Sequence, residues 1–588
     1  MKTVYLCGPE LRDKEALHSA IARQLAFPDW YGENLDALYD LLTDQSEDCR
    51  VVLAGREALE ENLGDYARRV YRVLEDAGVP VEYRDAPEMD LSTAREKLME
   101  HQMTLSAYGH AMGLLYYDGA TAAPRGTAKN RAQTMAVLAQ QSYDLSTGPE
   151  TVALLDYLDL RKAELSEKEQ RMVFLLLRDI RQMQKIPRDE YVALQRLLAE
   201  AEEIWRQAKE KSDFEMFAPT LEKIFDAYRR IAGYCAPDKA PYDYWLDRFE
   251  EGVSMESCDR FFSALRSHIV PLLKKVQARP QLDNSMLRGC FPEQDQQELS
   301  RRLMAILRLD PEHVALSTTE HPFTTSLGSH LDERITTHYY EEDFSYSMFS
   351  VIHEGGHALY DTGSDDSLAF TVLDGGVSMG IHESQSRFYE NLMARSLPFC
   401  QYLFPIIGEI FPEAADGRTA EDLYRAVNRS EPSLIRTEAD ELTYCLHVMI
   451  RYELEKKIFS GELTVRELPE AWNSLYREYL GIEVPDNRCG VLQDSHWSGG
   501  NIGYFPSYAL GSAYGAQLLQ NMEKDLDVWS VVRSGDLRPV TRWLGERIHQ
   551  YGQLLTPAEL LESAFHAPFD PNLYVGYLKG KYGELYGL

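Results

Sequence analysis

The residues best suited to chemistry are the two histidines and the glutamate of the sequence His353-Glu354-Gly355-Gly356-His357. Histidines four positions apart project from the same face of an α-helix, so their imidazole rings can share one metal ion. The glutamate between them then lies beside the ion, where it can act as a general base. This spacing predicts metal-assisted hydrolysis by a site on one buried helix.

A third ligand is expected from the segment IHESQSR, which follows at residues 381–387. A catalytic zinc ion takes three protein ligands and leaves one position open for water. Glu383 is the natural third ligand, and His382 is its rival. Because neighbouring residues of a helix point about 100° apart, only one of the two should reach the ion.

The helices that must carry these ligands belong to a part of the chain that is predicted to be helical from residue 91 onwards. The apolar run FSYSMFSVI at 344–352 predicts a buried helix that holds the histidines in a dry site. Strand signals nearly vanish in this part, so we expect one large all-α domain over residues 91–588. The other helical patterns lie at 92–116, 150–183, 189–212, 218–232, 256–277, 295–308, 436–459 and 465–480.

The sequence pattern of the first 88 residues predicts a separate, small α/β domain. Short apolar strands alternate with helical patterns here, which is typical of a three-stranded parallel sheet. A polar stretch with a proline, residues 85–90, predicts the linker to the larger domain. The predicted strands lie at 3–7, 50–55 and 79–84, and the predicted helices at 13–26 and 65–77.

The charge and composition of the chain exclude several classes of protein. With 61 Lys+Arg and 94 Asp+Glu the formal net charge is −33, which repels nucleic acid and anionic membranes. Hydrophobic residues make up 44%, enough for a packed interior, and no apolar run approaches the length of a bilayer span. The eight cysteines form no CxxC pair and the N-terminus has no signal-peptide layout. We therefore expect a cytoplasmic protein with reduced thiols.

The part of the chain after residue 91 resembles the M32 family of metallocarboxypeptidases, the thermostable carboxypeptidase type. The family's motifs occur in the family's order, and the chain departs from none of them at a motif position. The matching segments are HPF (321–323), DERIT (332–336), HEGGH (353–357), HESQS (382–386), IRTEAD (435–440), GVLQDSHW (490–497) and GYFPSY (503–508).

This resemblance implies a mainly α fold with two lobes and a deep groove, usually assembled as a homodimer. It implies removal of single residues from peptide C-termini, with broad side-chain tolerance and a dislike of proline. Zinc is the expected ion, cobalt often substitutes for it, and the ligands would be His353, His357 and Glu383. Glu354 would take a proton from water and pass it to the leaving amine.

The resemblance also implies residues that handle the substrate. An exopeptidase needs a cation to grip the terminal carboxylate, and arginine does this best. The family pattern points to Arg436, with Arg334 as the second choice. His496 and Tyr508 are the candidates that would stabilise the oxyanion, with Tyr504 close behind.

Structural roles compete with these functional ones. His321 is a further substrate-binding candidate, but a histidine before a proline can also stabilise a turn. Arg436 could instead form an ion pair with Glu438 or Asp440, and Arg334 could pair with its acidic neighbour in the DERIT segment. The tyrosines lie in an aromatic-rich stretch, where core packing is the usual explanation.

The first 85 residues resemble barstar, an inhibitor of an extracellular ribonuclease, most densely over residues 17–43. In that family one helix presents acidic side chains that mimic phosphates to a basic ribonuclease. The matching residues here are Asp36, Asp40, Trp30 and Thr43. A fold can persist without this activity, so the domain could instead recruit another protein or cover the peptidase groove.

Three functions compete for the whole chain. The leading hypothesis is a zinc carboxypeptidase that acts on soluble peptides with a free C-terminus. A peptidyl-dipeptidase or an endopeptidase would share the same zinc chemistry and would differ in the size of its products. The third is a binding or immunity module with a vestigial peptidase as scaffold, and the intact ligands and base argue against it.

Overall fold

The structure, a computed structural model, describes residues 2–28, 30–45, 49–85 and 89–588. The chain divides into two compact units. The first unit is Met1–Tyr108 with Ala136–Arg181, and the second is Gly109–Met135 with Gln182–Leu588. The domain limits of 1–88 and 91–588 stay a prediction, and residues 86–88 of the predicted linker lie outside the described residues.

Eight helices precede residue 186 in the described part of the chain. They are α1 Lys14–Leu25, α2 Leu35–Gln45, α3 Arg56–Leu63, α4 Asp65–Asp76, α5 Leu91–Thr121, α6 Ala128–Thr147, α7 Pro149–Leu160 and α8 Glu167–Lys185. The helix predicted over 150–183 is in fact two helices, because the chain leaves α7 at Arg161 through a short 3-10 turn, Lys162–Glu164.

The first unit contains the small α/β fold that the sequence predicts. Its strands pair in parallel in the order β1-β2-β3, with Val4 opposite Val51 and Val51 opposite Val81. The predicted three-stranded parallel sheet is therefore confirmed. The strands are β1 Lys2–Cys7, β2 Cys49–Ala54 and β3 Val81–Arg84.

One face of this sheet carries the core of the α/β fold. Successive residues of a strand point to opposite faces, so Val4 and Leu6 share a face with the paired Val51 and Leu53. All four are buried in one apolar cluster that also includes Leu38 from α2. Helix α2 therefore packs on this first face of the sheet.

Seventeen further helices follow in the described residues of the second unit. They are α9 Arg188–Lys211, α10 Phe214–Cys235, α11 Pro241–Phe249, α12 Met255–Gln277, α13 Glu293–Leu307, α14 Phe344–Asp361, α15 Met379–Arg387, α16 Leu397–Ile410, α17 Pro412–Ala415, α18 Ala420–Val427, α19 Glu441–Ser460, α20 Leu468–Tyr479, α21 Phe505–Asp525, α22 Val528–Ser534, α23 Arg538–Arg547, α24 Pro557–Phe565 and α25 Pro571–Tyr586. The helix predicted from 436 begins later, because Asp440 caps α19 by accepting hydrogen bonds from the backbone N–H groups of Leu442 and Thr443.

A second sheet interrupts these helices, and the prediction that strands nearly vanish after residue 91 missed it. The strands are β4 Val314–Thr318, β5 Thr324–Leu327 and β6 Ser329–Thr337. Strand β6 pairs in parallel with β4 and antiparallel with β5. Its buried positions include Glu333, Thr336 and Thr337. Polar residues at buried positions hide the apolar alternation by which a strand is recognised.

The predicted fold class, mainly helical with a small α/β segment at the N-terminus, is confirmed. Among the described residues, no helix combines the length and the hydropathy that a membrane span requires. The two-lobed shape and the deep groove stay predictions.

Candidate metal centre

Helix α14 carries both histidines of the HEGGH segment. It begins after Asp343, whose side chain accepts a hydrogen bond from the backbone N–H of Ser345, and most of its side chains are buried. His353 and His357 stand one turn apart with their ring centroids 5.0 Å from each other. Both rings are half-buried, so they face a partly enclosed site.

Helix α15 brings Glu383 to the two histidines. Its Oε2 atom lies 4.0 Å from Nε2 of His353 and 3.9 Å from Nε2 of His357. One ligand atom from each residue lies within 4.8 Å of the other two. Two imidazoles and a carboxylate are the donor set that a catalytic divalent ion such as zinc accepts. These residues therefore fit a metal ion.

Glycines allow the helices of the site to approach closely. A Cβ atom on Gly356 would lie 2.7 Å from Cα of Ser386 in α15, and one on Gly511 would lie 2.6 Å from Cβ of Glu383. A side chain at either position would push a neighbouring helix away. The second glycine of HEGGH thus allows close approach of the backbone of the helix that carries Glu383.

A carboxylate lies behind His353. The Nδ1 atom of His353 is 2.8 Å from Oε2 of Glu390, which sits in a π-helical turn, Phe388–Ala394, that continues α15. Such turns are frequent at functional sites. Burial opposes the charge of Glu390, but Arg387, His353 and Arg395 hold the pKa of this carboxyl well below its usual range.

A second histidine lies behind His357. The Nδ1 atoms of His357 and His382 are 3.1 Å apart, and Nε2 of His382 is 3.1 Å from Oδ1 of Asp361. The ring of His382, the rival ligand, therefore backs the ring of His357, and Glu383 faces the pair of Nε2 atoms.

The candidate base Glu354 is fixed by the second sheet. Thr324 on β5 donates a hydrogen bond of 2.7 Å from Oγ1 to Oε2 of Glu354, which is buried. Burial raises the pKa of the Glu354 carboxyl. The strand that the sequence reading missed thus orients the carboxylate beside the ligand set.

Four of the predicted substrate residues come together in a second cluster. Nε2 of His496 is 3.1 Å from the hydroxyl of Tyr508, and the ring of Tyr504 packs against both, at centroid distances of 5.8 Å and 4.9 Å. The guanidinium of Arg436 lies 4.9 Å from the centre of the Tyr508 ring. Desolvation lowers the pKa of His496 to about 4, so this imidazole is neutral at neutral pH.

Arg436 does not pair with Glu438 or Asp440, the partners considered from sequence. Its Nε donates to Oδ1 of Asp494 over 3.0 Å, and its Nη1 donates to the hydroxyl of Tyr444 over 3.1 Å. Its Nη2 group takes part in none of the hydrogen bonds formed by the described residues. The two hydrogen bonds therefore fix the plane of the guanidinium, and the Nη2 group is available to a further acceptor.

One tyrosine links the two clusters. The guanidinium of Arg387 lies 4.3 Å from the centre of the Tyr444 ring, and Nε of Arg387 donates to Oε1 of Glu383 over 2.7 Å. Tyr444 in turn accepts the hydrogen bond from Arg436. A continuous path of contacts thus joins Glu383 to Arg436.

Two predicted residues lie apart from these clusters. Arg334 forms an ion pair of 2.7 Å with Asp332 on β6, which is the structural alternative considered from sequence. His321 is exposed in the loop before β5. Among the described residues, no hydrogen bond or ion pair joins either side chain to the three ligand residues.

The predicted partner residues of the first unit share an exposed surface. Trp30 is 74% exposed in the turn before α2, and Asp36 and Asp40 are exposed on that helix. The hydroxyl of Thr43 donates to the backbone carbonyl of Tyr39, which is itself 40% exposed. The acidic helix therefore presents aromatic and acidic side chains to solvent.

Sequence reasoning missed the residues that support the site. Arg387 and Glu390 follow Glu383 at positions i+4 and i+7 of one helix, a spacing that could have identified them as its neighbours. Asp494 lies inside the GVLQDSHW segment and could have been proposed as the partner of Arg436. No sequence motif pointed to Thr324, because its contact with Glu354 arises only from the pairing of β5 in the second sheet.

Two family models match the chain. The model of the carboxypeptidase Taq (M32) metallopeptidases matches residues 97–582, and the model of barstar, the barnase inhibitor, matches residues 1–88. Both matches fall on the segments for which the sequence resemblances were noted.

Known proteins are similar over the same segments. "Carboxypeptidase 1" of Bacillus subtilis (strain 168) is 39% identical over 502 residues, which cover 85% of this chain and 100% of that protein. The crystal structure of an M32 carboxypeptidase from Deinococcus radiodurans R1 superimposes with a TM-score of 0.82 at 36% identity, over 84% of this chain and 100% of that one. "Putative ribonuclease inhibitor YrdF" of B. subtilis (strain 168) is 37% identical over 78 residues, 13% of this chain and 86% of that protein.

Proposed function

The chain belongs to the M32 family of metallocarboxypeptidases and carries a barstar-family segment at its N-terminus, and from this premise we propose that it is a zinc-dependent carboxypeptidase. In this proposal it removes single residues from peptide C-termini, with broad specificity except for proline. The observation that carries it is the convergence of His353, His357 and Glu383 from two helices, with Glu354 held beside them by Thr324.

The proposed ligands are His353, His357 and Glu383, and cobalt could substitute for zinc. When bound there, the ion polarises the scissile carbonyl and lowers the pKa of a water molecule. The Glu354 carboxylate accepts a proton from the attacking water and passes it to the nitrogen of the leaving amino acid. The hydrogen bond that Thr324 donates to Oε2 fixes the orientation of this carboxylate.

Arg436 is the residue proposed to grip the terminal carboxylate of the substrate. Asp494 and Tyr444 occupy its Nε and Nη1 groups, which fixes the plane of the guanidinium before substrate binds. The remaining Nη2 group is suited to a carboxylate, because charge-assisted hydrogen bonds to guanidinium are strong. Arg334, paired with Asp332, is the weaker candidate for this role, and His321 is a candidate for a more distant substrate contact.

His496 and Tyr508 are proposed to stabilise the oxyanion that develops on the scissile carbonyl. A neutral imidazole hydrogen-bonded to a phenol supplies a donor without a competing charge. Tyr504 packs against both side chains and is the alternative donor.

Digestion of a model peptide tests the proposed activity. We expect mass spectrometry to show successive loss of single residues from a free C-terminus. Chelation should stop the reaction, and Glu354→Gln should abolish it while metal binding is kept. Amidation of the C-terminus should block it as well. Release of dipeptides would favour a peptidyl-dipeptidase, and internal cleavage of the amidated peptide would favour an endopeptidase.

For the first 88 residues we infer a second, binding function towards a basic protein of the ribonuclease type. The inference is supported by the exposure of Trp30, Asp36 and Asp40 on one surface and by the similarity to the protein named as a putative ribonuclease inhibitor. Two acidic side chains four positions apart repel each other, and a basic partner removes that repulsion.

Binding of a basic ribonuclease at low and high salt tests this second function. Asp36→Asn with Asp40→Asn should abolish binding. Glu57→Gln with Glu61→Gln, an equally spaced and exposed pair on α3, removes the same charge and should leave binding unchanged. Binding that is insensitive to salt, or lost equally in both double variants, would contradict the assignment of this surface.

The oligomeric state and the cellular location of the protein are proposed as well. We expect a homodimer that acts on soluble peptides in the cytoplasm, with all eight cysteines as free thiols. The molar mass in solution, measured by light scattering, tests the dimer.

A further inference from the structure

The sheet of the barstar-like segment has buried residues on both faces. The first face carries the core with α2, as described above. The alternate residues point the other way, and four of them on β1 and β2 are at most 5% exposed. These second-face residues are Tyr5, Cys7, Val52 and Ala54.

Helix α7, which follows the barstar-like segment in sequence, contacts this second face. The ring of Tyr157 meets the ring of Tyr5 edge-on, with centroids 6.0 Å apart and planes at 89°. Both rings are buried. Edge-to-face pairs are a favourable arrangement for aromatic side chains, so this contact has the geometry of a packed interface.

A buried arginine at the end of α7 completes the contact. Nη1 and Nη2 of Arg161 donate to Oε1 and Oε2 of Glu10 over 2.6 Å and 2.7 Å. Nε and Nη2 donate to the two oxygens of Glu164 over 2.8 Å each, and Nη1 also donates to the hydroxyl of Tyr157. These five bonds match the five N–H groups of a guanidinium.

Arg161 is only 4% exposed, so its charge is stable there only while the carboxylates face it. Glu10 comes from the barstar-like segment, and Glu164 comes from the turn after α7. We call Arg161, Glu10, Glu164 and Tyr157 the clasp.

The acidic surface, which is the exposed surface with Trp30, Asp36 and Asp40, lies on the opposite side of the sheet from the clasp. Leu38 of α2 packs into the first-face core, whereas Asp36 and Asp40 of the same helix are exposed. The second face is the one that contacts Tyr157. Docking on α7 therefore leaves the acidic surface uncovered.

We propose that the barstar-like segment is a permanently docked part of this chain, held to helix α7 by the second face of its sheet and by the clasp. The partner of this surface is the chain's own helix. The segment thus has two working surfaces on opposite sides of one sheet, one for attachment and one open to a basic protein. The attachment does not depend on the peptidase chemistry or on the binding function proposed above.

Cleavage between the docked parts tests the proposal in the full chain. A site for a specific protease is placed at residues 86–88, in the linker predicted from sequence, the protein is cut, and the pieces are run on size exclusion. The two pieces of the wild-type protein are expected to co-elute, and those of Arg161→Met are expected to separate. Arg181→Met, which breaks two exposed ion pairs between α8 and α7, is the control and should co-elute.

A second variant guards against misfolding of Arg161→Met. Glu10→Gln removes one carboxylate of the clasp from a partly exposed position and leaves Arg161 and Glu164 paired. The dissociation constant between the cut pieces is expected to rise about tenfold or more in this variant. Binding of a basic protein to the uncut variants should stay as in wild type. Separation of the wild-type pieces on cutting, or equal constants for wild type and Glu10→Gln, would overturn the proposal.

Discussion

At the scale of single residues, the two histidines proposed as metal ligands each have a partner at Nδ1, on the side away from Glu383. Nδ1 of His353 contacts Glu390 and Nδ1 of His357 contacts His382, so each ring turns its Nε2 atom towards Glu383. Partners of this kind fix the tautomer of a ligand histidine and raise its basicity. The metal affinity of the site should therefore depend on residues that do not touch the ion.

Replacement of Glu390 with glutamine tests this dependence. We expect metal affinity to fall about 10- to 100-fold, because the amide lacks the charge that His353 faces. Competition of the apoprotein with a chelating dye measures the affinity without relying on turnover. Glu413→Gln changes an exposed glutamate and is the control. Equal affinities for Glu390→Gln and wild type would contradict the supporting role.

Replacement of Arg436 with lysine tests the grip on the substrate. Lysine keeps the charge but loses the planar fork that Asp494 and Tyr444 orient. We expect kcat/KM for peptides with a free C-terminus to fall about 10²-fold, in line with the loss of one charge-assisted hydrogen bond. Arg334→Lys is the matched control and should change kcat/KM little. A reversal of the two effects would transfer the role to Arg334.

The candidate ligands could be proposed from the sequence because they depend on local spacing. The HEGGH segment places two imidazoles on one helix face wherever that helix lies. The pairing of Arg436 could not be predicted in the same way. Glu438 and Asp440 are the acidic residues nearest to Arg436 in sequence and were therefore the expected ion-pair partners. The partner in the structure is Asp494, which comes from a distant segment.

At the scale of elements, glycine decides how closely α14 and α15 pack. In Gly356→Ala the new Cβ atom would lie 2.7 Å from Cα of Ser386. We expect the helices to separate, with a cost of about 1–3 kcal/mol in stability and weaker metal binding, although alanine favours helices. Thermal unfolding and metal titration measure the two effects.

Gly576 is the control for Gly356, because it also lies in a helix but has open space around it. Gly576 in α25 has no atom within 4 Å of the position of a new Cβ. Gly576→Ala should therefore gain up to about 1 kcal/mol from helix propensity alone. If both variants gained stability, close packing at Gly356 would be refuted.

Helix α19 is tied to the GVLQDSHW and GYFPSY segments by one buried carboxyl. Glu455 accepts hydrogen bonds from Trp497 Nε1, the Tyr242 hydroxyl and the backbone N–H of Gly503, all between 2.8 and 2.9 Å. Burial raises the pKa of Glu455 to about 7. The folded protein therefore binds this proton more tightly than the unfolded chain does.

This raised pKa predicts a pH dependence of stability. The stabilisation by the bound proton is complete below the unfolded pKa of about 4.5 and is lost as the pH rises through about 7. The loss amounts to at most about 3 kcal/mol. Between pH 5 and 7.5 the Tm of wild type should fall relative to that of Glu455→Gln. A difference in Tm that stays constant over this range would rule the effect out.

The long helices and the first sheet could be predicted because their apolar periods are regular. The second sheet could not, since β6 buries Glu333, Thr336 and Thr337. Its omission had a consequence for the site, because Thr324 on β5 holds Glu354. The contact that supports the candidate base Glu354 was thus the part of the site that could not be predicted from local sequence.

At the scale of the whole molecule, two families are joined in one strongly acidic chain with a formal net charge of −33. The resemblances predicted both of them, because each rests on segments whose residues are adjacent in sequence. The compact units of the structure were not predicted, since residues 136–181 join the first unit through tertiary contacts. One such contact is the pairing of Arg161 with Glu10, which are distant in sequence.

The most direct test of the account is the metal content of the ligand variants. Wild type and Glu354→Gln are expected to retain about one divalent ion per chain after dialysis, measured by plasma mass spectrometry. Glu383→Ala should lose the ion, whereas His382→Ala should bind it more weakly without losing the site. Retention of the ion with unchanged affinity in Glu383→Ala would contradict the convergence of two helices on one metal.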